Sequence, residues 1–268
     1  MLLKLPVLAA LPAYAAVFAL IALGAHLVFR RFVPPEKLME QHDVAGYLVA
    51  VVGVLYSVVL GFLVGTVWTA FAAAQETTNM EAGYVADAFG FAARWEQPKR
   101  AELLREIARY AVVVDDVELP PSGGERSDPR APRSLSHAID IALFAPAPKS
   151  PNPSVMLQNS AIRTELVQNL RNIGDSRRLR IVQSRDRLPT GLLEALVLGA
   201  IMAMGFVFLF GMKNAVQQMA MTVLMAGSIG LFFGLVLELS TPYSGSIHVS
   251  DDAWTYVIDN NHLIELAK

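Results

Sequence analysis

Apolar and polar residues are segregated along this chain into long blocks. Four stretches that contain no charged residue cover 5–29, 44–75, 195–212 and 214–237. A helix needs about 20 apolar residues, each rising 1.5 Å, to cross a bilayer. Each stretch is long enough to do so, and the pattern predicts four transmembrane helices. The first stretch also exceeds the 7–15 apolar residues of a signal peptide, so we expect a retained helix there.

The second stretch is longer than a crossing requires. Its 32 residues would measure about 48 Å as a helix, whereas the hydrocarbon core is about 30 Å thick. Because tilt absorbs only part of such an excess, helix two should protrude from the membrane. We expect it to continue through 76–96, where strong helix formers alternate with polar residues.

The segment between the second and third apolar stretches has helical rather than membrane periodicity. Apolar residues recur at spacings of three and four in 100–117 and again in 154–187, so each segment should form a helix with one apolar face. Pro/Gly-rich loops at 120–133 and 145–153 separate them, with a short helix at 134–144. We expect the two longer helices to pack together.

These elements predict an all-α membrane protein with a helical insert between transmembrane helices two and three. The expected domains are helices one and two (1–75), a helical cytosolic domain (76–187), a hairpin of helices three and four (188–238) and a tail (239–268). Ser250 should cap a helix in the tail. Lys and Arg are more numerous on the side that holds both termini and the insert, which places that side in the cytoplasm, in a bacterial inner membrane.

Helix two carries small residues at every fourth position. They are Gly53, Ser57, Gly61, Gly65, Thr69 and Ala73. Such spacing lets helix backbones approach closely, and Gly61-x-x-x-Gly65 is its strongest form. The simpler interpretation is packing within one subunit or between subunits. The alternative is that these residues line a narrow pathway around an oligomer axis.

If helix two lines a pathway, apolar residues beside the small ones could close it by dewetting. Val58, Leu60 and Val64 are the candidates for such a gate. The complete set expected to line a pore or to pack helices is Gly53, Ser57, Gly61, Val64, Gly65, Trp68 and Thr69.

Charged residues near the membrane give two further candidates. Glu194 and Glu238 lie at the ends of helices three and four, where a carboxylate either sits at the interface or faces a pathway. Arg177, Arg178 and Arg180 belong to an arginine run next to helix three. This run acts as a topology signal or as an electropositive cytosolic mouth that concentrates anions.

Composition excludes several other classes of protein. Hydrophobic residues make up 54% of the chain and charged residues 17%, with a net charge of −2 and no cysteine. Nucleic-acid binding and cysteine chemistry are therefore not expected. The histidines show no metal-ligand spacing and no catalytic motif occurs, so we expect neither an enzyme nor a cofactor. Asp115, Asp116 and Glu118 are acidic neighbours without EF-hand spacing, which is typical of a solvated helix end.

Short motifs in a fixed order resemble the bestrophin-like domain family over about residues 44–258. In the first half they are Gly61-Phe62, Trp68, Glu81-Ala82, Leu103-Leu104 and Tyr110. In the second half they are Arg177-Arg178-Leu179-Arg180, Leu188-Pro189, Pro242-Tyr243-Ser244-Gly245 and Val249-Ser250. One departure is Leu192-Leu193, where family members often place a tryptophan.

True bestrophins are pentameric anion channels with four membrane helices per subunit and a pore lined by helix two. The resemblance implies a homo-oligomer of four or five subunits, five being preferred, that conducts small inorganic ions across a lipid bilayer. The chain lacks the aromatic-rich neck and the acidic calcium clasp of bestrophins proper. A non-conducting structural or signalling protein, with the insert as a docking platform, is the alternative.

Overall fold

The structure is a computed structural model that describes residues 7–33, 42–119, 127–145, 152–209 and 214–267. Every regular element among these residues is a helix, which confirms the all-α prediction. The elements are α1 (Val7–Phe32), α2 (His42–Ala92), α3 (Lys99–Val113), a π-helix π1 (Val114–Glu118), α4 (Arg130–Phe144), α5 (Pro153–Arg185), α6 (Thr190–Leu209), α7 (Ala215–Leu239), α8 (Asp252–Asn260) and α9 (Leu263–Leu266). The connector predicted at 30–43 and the hairpin turn at 211–214 lie largely outside the described residues.

Among the described residues, four helical stretches are long and apolar enough to cross a membrane, as expected. They are Ala9–Phe32, Gly46–Ala92, Pro153–Leu209 and Ala215–Leu239. Helix α2 is one uninterrupted helix of 51 residues, which corresponds to about 76 Å. Since a hydrocarbon core is about 30 Å thick, much of α2 must lie outside the membrane. The continuation of helix two beyond its apolar stretch is therefore confirmed as far as Ala92.

The chain divides into two compact units. The membrane unit comprises Met1–Phe71, Arg187–Thr241 and Gly245–Ile247, and the helical unit comprises Ala72–Asp186, Pro242–Ser244 and His248–Lys268. The last twenty residues thus cluster with the helical insert.

In the membrane unit, α1 packs closely against α7 at two glycines. A Cβ atom on Gly230 would lie 2.6 Å from the Phe18 Cβ and 2.8 Å from the Tyr14 carbonyl oxygen. A Cβ atom on Gly234 would lie 2.5 Å from the Tyr14 ring. Because the residue number rises on α1 as it falls on α7, the two helices are antiparallel. Gly230-x-x-x-Gly234 is thus a close-approach motif that the sequence analysis did not single out, although its spacing matches that noted in helix two.

The rest of the membrane unit is held by apolar side chains from α2, α6 and α7. One face of α2 is buried against them, through Leu60, Leu63 and Val67. Leu196 of α6 and Val236 of α7 belong to the same cluster. The sequence interpretation of Leu60 as part of a gate is therefore wrong, because its side chain is 7% exposed and faces this core.

The helical unit has one core of its own. It contains Leu103 and Ile107 of α3 together with Leu166 and Leu170 of α5, all almost fully buried. Helix α4 packs against both α3 and α5. The apolar faces of α3 and α5 therefore share one core, but α4 lies between them and they do not form the simple pair that the sequence predicted. The physical reason is that α4, which begins at Arg130 and not at 134, is long enough to present an apolar face of its own.

The tail closes the core of the helical unit. Trp254 of α8 and Leu263 of α9 are fully buried in it. The Ser250 hydroxyl oxygen accepts a hydrogen bond from the backbone N–H of Asp252 at 3.1 Å, but the N-cap residue of α8 is Asp251 and not Ser250, which the sequence predicted.

Candidate functional site

The small residues of α2 lie on a face that the described part of the chain leaves largely open. Gly53 is half-buried, whereas Ser57, Gly61, Gly65 and Thr69 are exposed. A Cβ atom added to Gly61 or Gly65 would meet no described atom within 4 Å. Among the described residues, these two glycines therefore make no close contact with another helix.

Hydroxyl groups on this face are bonded to their own helix. The Ser57 hydroxyl donates to the Gly53 carbonyl oxygen at 2.7 Å, and the Thr69 hydroxyl donates to the Gly65 carbonyl oxygen at 2.9 Å. Each hydroxyl thereby satisfies its donor without a partner helix and still offers an oxygen lone pair outward. The face is thus small and mildly polar on a helix that is otherwise apolar.

Two larger residues border this face. Val64 is half-buried and packs at the edge of the α2 core cluster. Trp68 is 60% exposed and stacks on Phe71 with ring centroids 6.3 Å apart. Of the proposed gate residues, Val58 is exposed, so Val58 and Val64 are the two that remain accessible.

An open groove of about 370 Å³ runs beside the small residues in the membrane unit. Helix α2 lines it with Gly53, Ser57 and Gly61 among others. Helix α7 contributes Ser228 and Phe232. Its lining is mainly apolar, as expected for a surface within membrane-spanning helices.

The two acidic residues at the membrane helix ends occupy different environments. Glu194 is exposed in the first turns of α6. Glu238 is fully buried at the end of α7 and accepts hydrogen bonds from the backbone N–H groups of Ser246 (2.8 Å) and Ile247 (3.3 Å). The Tyr14 hydroxyl lies 3.4 Å from the other carboxylate oxygen. Through these hydrogen bonds, Glu238 holds the segment that follows α7 against the end of that helix.

Two of the three arginines expected at a channel mouth are buried in ion pairs. Arg177 is 7% exposed and Arg180 is 3% exposed. Arg178 alone projects to the surface, where it pairs with Asp175. The interpretation of all three as an electropositive surface therefore needs correction, because the positive charge of Arg177 and Arg180 is neutralised inside the helical unit.

Arg177 and Arg180 form a buried ion network with Glu81 and Glu118. The Arg180 Nε donates to the Glu81 carboxylate at 2.6 Å, and its Nη2 donates to Glu118 at 2.8 Å. The Arg177 Nη2 donates to the other Glu118 oxygen at 2.6 Å. With two cations and two carboxylates the network is neutral, so burial leaves no unpaired charge.

Neighbouring groups complete the network. The Tyr110 hydroxyl donates to Glu81 at 2.6 Å, and the backbone N–H of Asp128 donates to Glu118 at 2.8 Å. Burial would raise the pKa of Glu118, but hydrogen bonds from Arg177 and Arg180 outweigh it and lower the pKa. Burial, together with the negative charge of Glu81, raises the pKa of Tyr110 well above its usual value. Glu118 is thus held as an ionised carboxylate and Tyr110 as a neutral phenol.

Tyr243 lies in the same region of the helical unit. Its hydroxyl is 3.1 Å from the Ala74 carbonyl oxygen and 3.3 Å from the Gln183 amide oxygen. Burial raises the pKa of Tyr243 to about 12. Glu81, Tyr110, the two arginines and Tyr243 are all members of the motifs quoted above. Glu81, Tyr110 and the two arginines therefore build a buried polar network, with Tyr243 half-buried in the same unit; composition and spacing alone did not reveal this.

The acidic neighbours Asp115, Asp116 and Glu118 do not act as one group. Glu118 turns into the ion network, while Asp115 is half-buried and Asp116 is exposed. Burial and the negative charges of Asp116, Asp251 and Asp259 raise the pKa of Asp115 to about 6. Among the described residues, no group of three or more His, Asp or Glu side chains has the geometry to hold a metal ion.

The fold and these sites define a multi-pass membrane protein with a separate helical unit. The Bestrophin-like domain family matches residues 16–254, and the chain belongs to that family. No curated protein matches the chain.

Solved structures agree with this fold. Crystal structures of a bacterial bestrophin homologue from Klebsiella pneumoniae, carrying different point mutations, resemble the chain with TM-scores of 0.63 and 0.60 at 13% identity. The first of these alignments covers 94% of this chain and 98% of the homologue. The crystal structure of a membrane protein variant likewise resembles the chain, with a TM-score of 0.63 at 13% identity and the same coverage.

Proposed function

We propose that the chain forms a homo-oligomeric ion channel in which α2 lines an axial pore. The observation that carries this proposal is the open face of Ser57, Gly61, Gly65 and Thr69. Small residues on a lipid-facing helix gain nothing from lipid, whereas they permit close approach of neighbouring helices or leave room for a pathway. Because no part of the described chain covers this face, copies of α2 from other subunits are its natural neighbours.

The family favours five subunits around the axis. In such a ring the small side chains of Gly61 and Gly65 would lie near the narrowest part, and Val58 and Val64 would supply apolar residues for closure by dewetting. Hydroxyl oxygens of Ser57 and Thr69 would offer weak polar contacts to a passing ion.

Anion conduction is proposed on the family resemblance and not on the arginine run. Arg177 and Arg180 are neutralised by Glu81 and Glu118, so they add little to the potential at a mouth. Arg178 remains as an exposed cation. We further propose that the helical unit and both termini are cytoplasmic, in a bacterial inner membrane.

The test is ion flux from liposomes containing the purified protein, measured under separate chloride and potassium gradients. Gly61→Leu and Gly65→Leu should abolish flux or disrupt the oligomer, since leucine would fill the space that the glycines leave. Gly24→Leu is the matched control, because Gly24 is also exposed in a membrane helix and has no described atom within 4 Å of its Cβ position. It should retain size and flux.

Two results would contradict the proposal. The first is wild-type protein that carries neither ion under either gradient. The second is wild-type size and flux in both Gly61→Leu and Gly65→Leu.

A non-conducting docking protein is the second candidate. It is favoured by large apolar side chains on the surface of the helical unit, such as Phe144 (80% exposed), Leu157 (74%) and Tyr256 (71%). This function predicts a protein that binds a partner through the helical unit and shows no flux. A closed ring of four or five subunits in detergent, together with flux, would exclude it.

A further inference from the structure

His26 lies at a buried position of α1 where its ring nitrogens have nothing to bond. The side chain is fully buried, and neither ring nitrogen has a hydrogen-bond partner among the described residues. Its ring packs against Phe208 of α6 with centroids 5.4 Å apart. A neutral imidazole carries one hydrogen-bond donor and one acceptor, and here neither of them has a partner among the described residues.

An unsatisfied buried polar group is expensive, at about 1–3 kcal/mol. An apolar residue would avoid that loss, and the equivalent positions one, two and three turns earlier are in fact Ala22, Phe18 and Tyr14. Tyr14 and Phe18 contact α7 at Gly234 and Gly230. His26 therefore continues the face of α1 that packs on α7, but it places a titratable group in it.

The described residues that face His26 from the packed helices are uncharged. Extending the register of Tyr14 with Gly234 and Phe18 with Gly230 puts His26 level with Thr222 of α7. Thr222 is uncharged, fully buried, and donates its hydroxyl hydrogen to the Gln218 carbonyl oxygen at 3.0 Å. Helix α6 presents Phe208. The charged group that acts on His26 is Arg30, one turn further along α1, and it is positive.

We propose that protonation of His26 weakens the packing of α1 against its neighbours α6 and α7. The packed arrangement accommodates a neutral imidazole only. An imidazolium there would be desolvated and repelled by Arg30, and in the packed arrangement its ring nitrogens have no acceptor within hydrogen-bond distance among the described residues. A proton on His26 therefore favours conformations in which this end of α1 separates from α6 and α7. Acidification thus loosens the membrane unit at α1. The proposal does not depend on ion conduction.

The test is the unfolding equilibrium of the purified oligomer in detergent at pH 7.5 and pH 5.5. His26→Gln keeps a polar side chain but cannot take up the proton. Linkage allows a single proton to change the folded-to-unfolded ratio by up to tenfold per pH unit. The wild-type ratio should fall on acidification by several-fold more than that of His26→Gln. His248→Gln is the matched control, because His248 is an exposed imidazole, and it should follow the wild type.

Equal pH dependence in wild type and His26→Gln would overturn the proposal. If His26→Gln does not fold, hydrogen–deuterium exchange of the wild-type protein decides the matter. Peptides around His26 should lose protection at pH 5.5, after correction for the intrinsic exchange rate, while peptides from α3 should not. Unchanged protection of α1 between the two pH values would likewise overturn it.

Discussion

Removal of the Arg180 guanidinium should strongly destabilise the helical unit. Arg180 joins Glu81 and Glu118 from the centre of the buried ion network, and its side chain is 4% exposed while both glutamate side chains are 0% exposed. In Arg180→Met, Glu81 would keep only the Tyr110 hydroxyl and Glu118 would keep Arg177. Breaking a buried pair by removal of one partner costs about 3–5 kcal/mol, because the remaining charge stays buried. At about 1.4 kcal/mol for each factor of ten, the unfolding equilibrium would shift more than a hundredfold.

The neighbouring arginine supplies the control. The Arg178 side chain is 72% exposed and pairs with Asp175, which is itself 67% exposed. Exposed pairs contribute about 0–1 kcal/mol, so Arg178→Met should unfold almost as the wild type does. Both substitutions remove the same charge and the same side-chain length from the same helix, and they differ in burial alone.

The assay is reversible unfolding of detergent-solubilised protein by denaturant, followed by tryptophan fluorescence. Trp254 is buried in the core of the helical unit and reports on its opening. The reasoning would be refuted if Arg180→Met lowered the free energy of unfolding by less than about 1 kcal/mol, the loss expected at most for Arg178→Met.

Two further substitutions test other parts of the structure. Gly230→Ala should destabilise the protein by about 1–2 kcal/mol, since overpacking against Phe18 and the Tyr14 carbonyl exceeds the helix propensity gained; thermal unfolding as stable as that of wild type would show that α1 moves aside freely. Asp115→Asn should stabilise the protein at pH 8 by about 1 kcal/mol, after allowance for solvent screening of a half-exposed group. The pKa of Asp115 is raised from 3.8 to about 6 on folding, so this group does not destabilise the fold below pH 3.8. Its destabilising contribution grows as the pH rises from 3.8 to about 6 and is complete above pH 6. Urea unfolding at pH 4 and pH 8 measures this, and an equal effect at both would contradict it.

The membrane helices and the long α2 were predictable because they depend on local properties. Charge-free length decides whether a helix can cross a bilayer, and four such stretches suffice to define the class. The same holds for the start of the tail helix, where the Ser250 hydroxyl bonds the backbone two residues away, although the N-cap itself is Asp251. The start of α4 was harder to predict from the sequence. Pro129 and Pro132 are typical of a loop, although proline is also compatible with a first helical turn.

Charged residues were the least predictable part of the candidate site. A run of arginines looks the same in sequence whether it faces solvent or a buried carboxylate. Arg180 and Glu81 are 99 positions apart, so only folding brings them together. The three- and four-residue spacing of Arg177 and Arg180 with buried Ile173 and Ser176 was the available signal, because it places both arginines near the apolar face of α5.

By itself the sequence determined which segments can cross the membrane and that α2 extends beyond its apolar stretch. It also determined where residues are small enough for helix backbones to approach closely. It did not determine what approaches them. Helix α7 uses Gly230 and Gly234 against Tyr14 and Phe18, whereas Gly61 and Gly65 of α2 remain open. Periodicity defines a helix face through 3.6 residues per turn, but the partner of that face depends on contacts between distant segments. Only the tertiary structure therefore separated the glycines that hold α1 against α7 from those that the described residues leave uncovered.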